Sequence, residues 1–483
     1  MIFPIFRKRV TTEPQGPTRA ELLEKARTQI SQGHLGAGEV YLDELGERYP
    51  GDAEICNETG VLRYLRGDFT GAEQAFGEAA ALAPRDPKVR ANLGQSLQAR
   101  GLFAESIAHF EAALALDPLH ETTRFNLAVA TYALGDRRRA ADLLASLVAA
   151  HPDDATMHLA LGECLLSYEE FAAGWREYEW RLKVPEYAKA FRNFSKPQWD
   201  EASRPEGAVL VWCEQGYGDA LQFMRLLAEL ATRLAPKEVI FDAPASLYTL
   251  VRHSFAAWSN LHVLEPGQAY PAFSHHVSLM SLPALLGARL TENRAPMPYL
   301  QVPPEVARRW AERVPEADAR KPRVGLVWAG NKREALSAAE QAVDVRRSAG
   351  AVVFARIIDG MECDFFNLQV GARTHDMAAL GHDLHDHTAV LADFAESAGL
   401  MSRLDLIVTV DTSVAHLAGG LGRPVWMLSR FDCCWRWGER RASIPWYPTM
   451  RPFYQPAPAA WDGVVDEVRA ALLEFTRKGL AGA

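Results

Sequence analysis

Glycine and proline recur on one 34-residue period through the first third of this 483-residue chain. Gly33, Gly67, Gly101 and Gly135 share one phase, Pro50, Pro84, Pro118 and Pro152 a second, and Phe76, Phe110, Leu144 and Tyr178 a third. A period of this length marks stacked supersecondary units. The glycine lets the backbone turn between two helices. The proline ends the second helix, because it lacks an N–H and clashes with the preceding turn. The large apolar residue packs between units, and since one unit cannot bury its own face, stacking is required. Three clear units span 53–154. A looser one covers 19–52, and a degraded one, with Glu169 in place of the mid-unit glycine, covers 155–187. Atypical end units are expected caps.

The clearest unit, Asn92-Leu93-Gly94 followed by Gly101, Phe110, Ala113 and Pro118, resembles the tetratricopeptide repeat. That resemblance implies either a groove for a protein or peptide partner, or a spacer. Apolar residues make up 48% and charged residues 23%, an ordinary globular balance, and the net charge of −9 argues against a generic nucleic-acid binder. No apolar run is long enough for a membrane span. The opening MIFPIFRKRV is apolar then basic, the reverse of a secretory signal, so a cytoplasmic location is expected. The six cysteines show no CxxC spacing and read as free thiols.

After residue 187 the pattern changes. Ala208–Cys213, Val239–Phe241, Arg323–Trp328, Phe365–Leu368, Leu406–Val410 and Val425–Leu428 are apolar runs suited to strands buried on both faces, with helical patterns between them. This is βαβ alternation, and it falls into two blocks separated by a proline-bearing stretch near 296–304. Ligands of such sheets sit beyond the carboxyl ends of the strands.

Three strand ends carry candidate chemistry. The first is Glu214-Gln215-Gly216-Tyr217-Gly218-Asp219. Its glycines permit close backbone approach, and a helix start there attracts anions. The spacing is not GxGxxG. Asp219 reads locally as a helix cap, or alternatively as a general base. The second end is Asp411-Thr412-Ser413 with His416, a helix start with two hydroxyls, where Thr412 and His416 share one face; it reads as a phosphate-ready corner or as an N-cap box with a satisfied histidine. The third is Trp328-Ala329-Gly330-Asn331, followed at a distance by Arg346-Arg347-Ser348, whose planar donors suit a pyrophosphate, although either arginine alone reads better as part of a solvated charge run. His275-His276 and the stretch His375 to His387 match no zinc spacing and read as polar loops with surface histidines. Trp435 and Trp437 either stack on a base or sugar or anchor their loop.

These ends in this order resemble the bacterial proteins that join tetratricopeptide repeats to a heptosyltransferase-like glycosyltransferase domain. The phrases that carry it are EQGYGD (214–219), LDLIVTVDTSVAHLAGGLGRPVW (404–426), WRWGERRASIPWYP (435–448), GWREYEWR (174–181) and PQWD (197–200). The resemblance implies a tetratricopeptide solenoid (19–187), a connector (188–206), and an α/β GT-B fold of two doubly wound Rossmann-like domains facing a cleft. These would be an acceptor domain (207–304) and a nucleotide-sugar donor domain (305–459), with a terminal helix (460–477) packing across the lobes. It further implies an inverting transfer from a nucleotide-activated sugar, with neither metal nor other cofactor. Asp219 would be the base, and Gly216, Gly218, Asn331, Arg346, Arg347, Ser348, Asp411, Thr412, Ser413 and His416 would serve the donor phosphates. Some members act on proteins such as flagellin, which suggests an acceptor held by the repeats. A cell-envelope glycan acceptor and a non-catalytic scaffold are the alternatives. The chain departs from the resembled pattern in a longer segment after Asn331, and in Val370 after Gln369 where a lysine is common.

Overall fold

The computed structural model describes residues 16–188, 191–200, 202–203, 205–235, 237–287, 297–316, 321–331, 337–438 and 440–481. The MIFPIFRKRV opening and the first residues after Asn331 lie outside them. The chain divides into two compact units, Met1–Thr123 and Arg124–Ala483, so the division falls within the repeats and the last repeat helices belong with the α/β part.

The repeat helices are α1 (Arg19–Ser31), α2 (Leu35–Arg48), α3 (Ala53–Leu65), α4 (Phe69–Leu82), α5 (Pro87–Ala99), α6 (Phe103–Leu116), α7 (Glu121–Leu134), α8 (Arg137–Ala150), α9 (Ala155–Ser167) and α10 (Phe171–Tyr178). Aspartates open α3, α4, α5, α8 and α9, each accepting from backbone N–H groups that the helix start leaves unpaired. The mid-unit glycines turn at φ between 80° and 105°. Glu169 adopts the same left-handed turn at φ 73°, a strain that a glycine would avoid. In the first unit, a side chain on Gly60 or Gly94 would collide with the ring of Phe76 or Phe110 in the following helix. Gly60 and Gly94, themselves 34 residues apart, thus make room for the periodic aromatic ring.

The α/β part contains two parallel sheets. The first has β1 (Val209–Trp212), β2 (Val239–Asp242), β3 (Leu261–Val263) and β4 (His275–Ser278) in the order β3-β2-β1-β4. The second has β5 (Arg323–Val327), β6 (Asp364–Asn367), β7 (His385–Asp386), β8 (Leu406–Val410), β9 (Val425–Ser429) and β10 (Met450–Tyr454), in the order β10-β9-β8-β5-β6-β7. Strand order reverses beside β1 in one sheet and between β5 and β8 in the other. The loops leaving those strands are the places where a parallel sheet opens a crevice.

Four of these strands were not expected from sequence. β3 and β7 are very short, and β10 carries Pro452, tolerated because this strand lies at the sheet edge. β4 corrects the surface reading of His275-His276. His276 is buried, and its Nδ1 lies 3.2 Å from Nε1 of Trp212 on the neighbouring strand. His385 also belongs to a strand and stacks on Phe366 with ring centroids 4.6 Å apart, but it is exposed, in line with the surface reading. The helix Trp461–Ala481, expected to lie across both lobes, packs Val464, Val465, Val468 and Leu472 into the core of the second sheet.

A continuous apolar core runs from Leu159, Phe171 and Trp175 of the last repeat, through the first sheet, to Trp435, Trp437 and Tyr447. Among the described residues, no helix is long and apolar enough to cross a membrane.

Candidate functional site

The ends of β1 and β8 meet. Gly218 lies in the helix Tyr217–Phe223, and His416 in the helix Ser413–Gly420. A Cβ on Gly218 would stand 3.0 Å from Cδ2 and 3.4 Å from Nε2 of His416. Glycine is needed here for close approach rather than for a turn. Gly218→Val is expected to wedge these helices apart and cost about 1–3 kcal/mol of stability. Hydrogen exchange across 413–420 would register the loss, and an unchanged pattern would contradict it.

Asp219 does not cap its helix. Gly216 occupies the N-cap position and no side chain caps that end. The Asp219 Oδ1 instead lies 2.5 Å from Nη2 of Arg436, which projects from the turn Trp435–Trp437. The local cap reading fails because a long-range cation outcompetes nearby backbone N–H groups. Burial opposes the charge on Arg436, but Asp219, Tyr178, Cys434 and Glu163 together outweigh it and the guanidinium's pKa is raised. On α9, burial raises the Glu163 carboxyl while Arg436 opposes that rise. Arg436 is the residue that sequence reasoning missed. It lies between two tryptophans in a stretch read for its aromatic side chains alone.

His416 is buried, and burial pulls its pKa down to about 4 although Asp411 and Asp219 favour the cation. It is therefore neutral near pH 7. Its Nδ1 lies 3.0 Å from the Tyr447 hydroxyl and its ring 5.0 Å from that of Trp437. Unfolded, the imidazole takes up a proton near its ordinary value of 6.5. The unfolded state thus binds more protons between about pH 6.5 and 4. This contribution is full above pH 6.5 and falls as pH drops toward 4, by on the order of 3 kcal/mol. Denaturation midpoints against pH should be flatter for His416→Gln than for the parent, and parallel curves would refute this.

Thr412 is the N-cap of the His416 helix, but its side chain does not cap. Its Oγ1 lies 3.1 Å from that of Thr409, leaving the first N–H groups beside Ser413 without a side-chain acceptor. Asp411 precedes it at the end of β8.

The end of β5 is arranged differently. The N–H groups of Trp328 and Ala329 donate to Gln369 Oε1 at 3.2 and 3.0 Å, and that of Gly330 donates to Ser348 Oγ at 3.2 Å. Gln369, beside the departure at Val370, thus occupies donors that an anion would use. Arg346 pairs with Asp432 at 3.0 Å and Arg347 with Asp344 at 3.1 Å, while Arg347 also presses against Gly330. Asn331 is exposed and lies against Gly371. Trp435 and Trp437, offered as a stacking platform, are each 1% exposed. Trp435 is enclosed by Trp175, Tyr178 and Phe223, so the pair anchors the loop. Among the described residues, no group of three or more His, Cys, Asp or Glu is placed to hold a metal ion.

The loop of Asp219 is also tied to the repeats. Arg181, fully buried, donates to Glu214 Oε1 at 2.8 Å and to Ser281 at 2.8 Å, and Ser278 donates to the same Glu214 oxygen at 2.6 Å.

The chain carries tetratricopeptide repeats: that family matches residues 23–87 and again residues 97–164. Protein FlbA of Caulobacter vibrioides is 26% identical over 454 residues, covering 88% of this chain and 74% of FlbA. The peroxisomal targeting signal receptor of Saccharomyces cerevisiae is 33% identical over 100 residues, which is 21% of this chain and 16% of the receptor. The solved structure of Pseudomonas aeruginosa pilF has 16% identity and a TM-score of 0.32, covering 34% of this chain and 75% of its own.

Proposed function

We propose that this chain is a glycosyltransferase of the two-lobed GT-B type. It moves a sugar from a nucleotide-activated donor to an acceptor hydroxyl on a protein recruited by the repeats. The observation that carries the reading is the meeting of two switch-point strand ends, Gly218-Asp219 from one sheet and Ser413 to His416 from the other. Cleaving the donor builds negative charge on the leaving diphosphate. The uncapped helix start at Thr412-Ser413 would take that charge, with Arg436 nearby. Asp219 would accept the acceptor's proton as the sugar carbon is attacked from the opposite face, giving inversion. His416, neutral and held by Tyr447, serves as an oriented imidazole rather than as a charge. Asp219 releases Arg436 when the acceptor binds, and Arg346 and Arg347 exchange carboxylates for phosphate oxygens. No step in this scheme calls for a metal ion.

A scaffold without catalysis is favoured by one observation: Arg346, Arg347 and Arg436 each already hold a carboxylate. Mass spectrometry of all cellular proteins, with the chain intact and deleted, separates the readings. Loss of a glycan mass from one polypeptide supports transfer to protein. Loss from a lipid-linked or envelope glycan moves the acceptor there. Unchanged glycans leave the scaffold.

A further inference from the structure

A groove of about 560 Å³ opens among α2, α3 and α4, entirely within the first compact unit. Its origin is visible in the chain's own repeat. Leu42 stands where the next unit, 34 residues on, has Phe76. Thr59 and Arg63, in that next unit, stand where the unit after it has Leu93 and Leu97. Those three counterparts are buried. The junction between the repeat of 19–52 and the one after it is therefore hollowed at positions that the following junction fills.

The rim is changed in the same region. Asp43, Glu47 and Glu78 line the groove and are exposed, where the positions 34 residues on are Gly77, Ala81 and Ala112. Among the described residues, no lysine or arginine pairs with any of the three. Arg63, the cation inside, turns its guanidinium to the Gly71 carbonyl at 3.1 Å. Elsewhere on α3 the charges neutralise one another. Arg19 and Arg27 of α1 hold Glu54 at 2.7 and 2.8 Å, and Arg27 also holds Glu58 at 2.8 Å. That ladder offers a partner little unspent charge, whereas the groove combines volume with three carboxylates that form no salt bridge among the described residues, Arg66 reaching Asp43 only at longer range.

We propose that this groove seats a lysine- or arginine-bearing peptide segment of a partner protein. The aliphatic stem would lie over Leu42 and Thr59, with the cationic head among Asp43, Glu47 and Glu78. Long basic side chains bury their stems and keep their charge at a polar rim, and opposite potentials favour the encounter. The proposal supplies the chemistry of the partner that the repeats recruit, and its test involves no sugar transfer, so either reading can fail alone.

The test pans a phage-displayed library of random peptides, about 12 residues long, on the full-length chain, with counter-selection on T59L/R63L. That variant installs the leucines of the next unit, and a melting temperature at or above the parent's verifies its fold. Arg63→Leu also removes a positive charge, so charge alone would strengthen cationic binding, and weakening reports lost volume. The expected peptides carry Lys or Arg beside apolar residues. They bind T59L/R63L and D43N/E47Q/E78Q at least about tenfold more weakly than the parent, and weaken between about 50 and 500 mM salt. Absence of enriched peptides, enrichment of neutral or acidic ones, or undiminished binding to either variant overturns the proposal. So does self-association of the chain that T59L/R63L abolishes, which would make the occupant a second copy.

Discussion

If the proposed transfer is correct, Asp219→Asn is expected to lower nucleotide release from the sugar donor, in the presence of acceptor, by about 100- to 10,000-fold, the usual span for loss of a general base. Asparagine keeps the size of the side chain and an oxygen for Arg436, so the ends of β1 and β8 stay together while the proton acceptor is lost. A melting curve close to the parent's confirms the fold. Arg436→Gln is expected to act more mildly and on kcat, because it leaves the carboxylate present but no longer held at 2.5 Å. A folded Asp219→Asn protein with undiminished release would remove the enzymatic reading, and the three prepaired arginines would then stand as structural ties.

Arg181→Met destabilises the protein by about 3–5 kcal/mol, because it strands the buried Glu214 carboxylate. Both side chains of this pair are 1% exposed. The double substitution Arg181→Met with Glu214→Gln removes the stranded charge and is expected to regain much of the loss, as buried pairs replaced together often do. Denaturant midpoints for the parent, both single variants and the double variant close the cycle. Additive effects would show that the two residues do not act as a unit. Since Glu214 begins the loop that ends in Asp219, the single variants are also expected to loosen that loop.

What the sequence made legible had local physics. The repeat could be read because each of its marked positions has its own reason, a turn, a stop or an interlocking ring. Even Glu169 obeyed the turn at φ 73°. Strands β1, β5 and β8 announced themselves by unbroken apolar runs, and the ends of β1 and β8 proved to be neighbours. What stayed hidden depends on distant partners. Nothing beside Asp219 in the chain shows that Arg436, 217 positions later, will claim it. β4 hid because His275 and His276 look like surface residues until β1 pairs with them. Gln369 looked like a departure and turned out to fill the donors at the end of β5. Trp435 and Trp437 bear the same side chains whether they stack on a ligand or anchor a loop, and only burial tells the two apart.

The turn that bears Arg436 is gripped on both sides. Trp435 sits edge-on against Trp175 of α10, with centroids 5.4 Å apart, and 6.4 Å from Phe223, while Arg441 just beyond it pairs with Glu169 ahead of α10. The tryptophan behaves as a pivot pin. Any load that tilts α10 by an ångström must either shear that aromatic contact or swing Arg436 with it, and so tug on the acid it holds. The last helical pair is thus geared to the Asp219 corner as a crank is to a latch, by a route that bypasses the strands of both sheets.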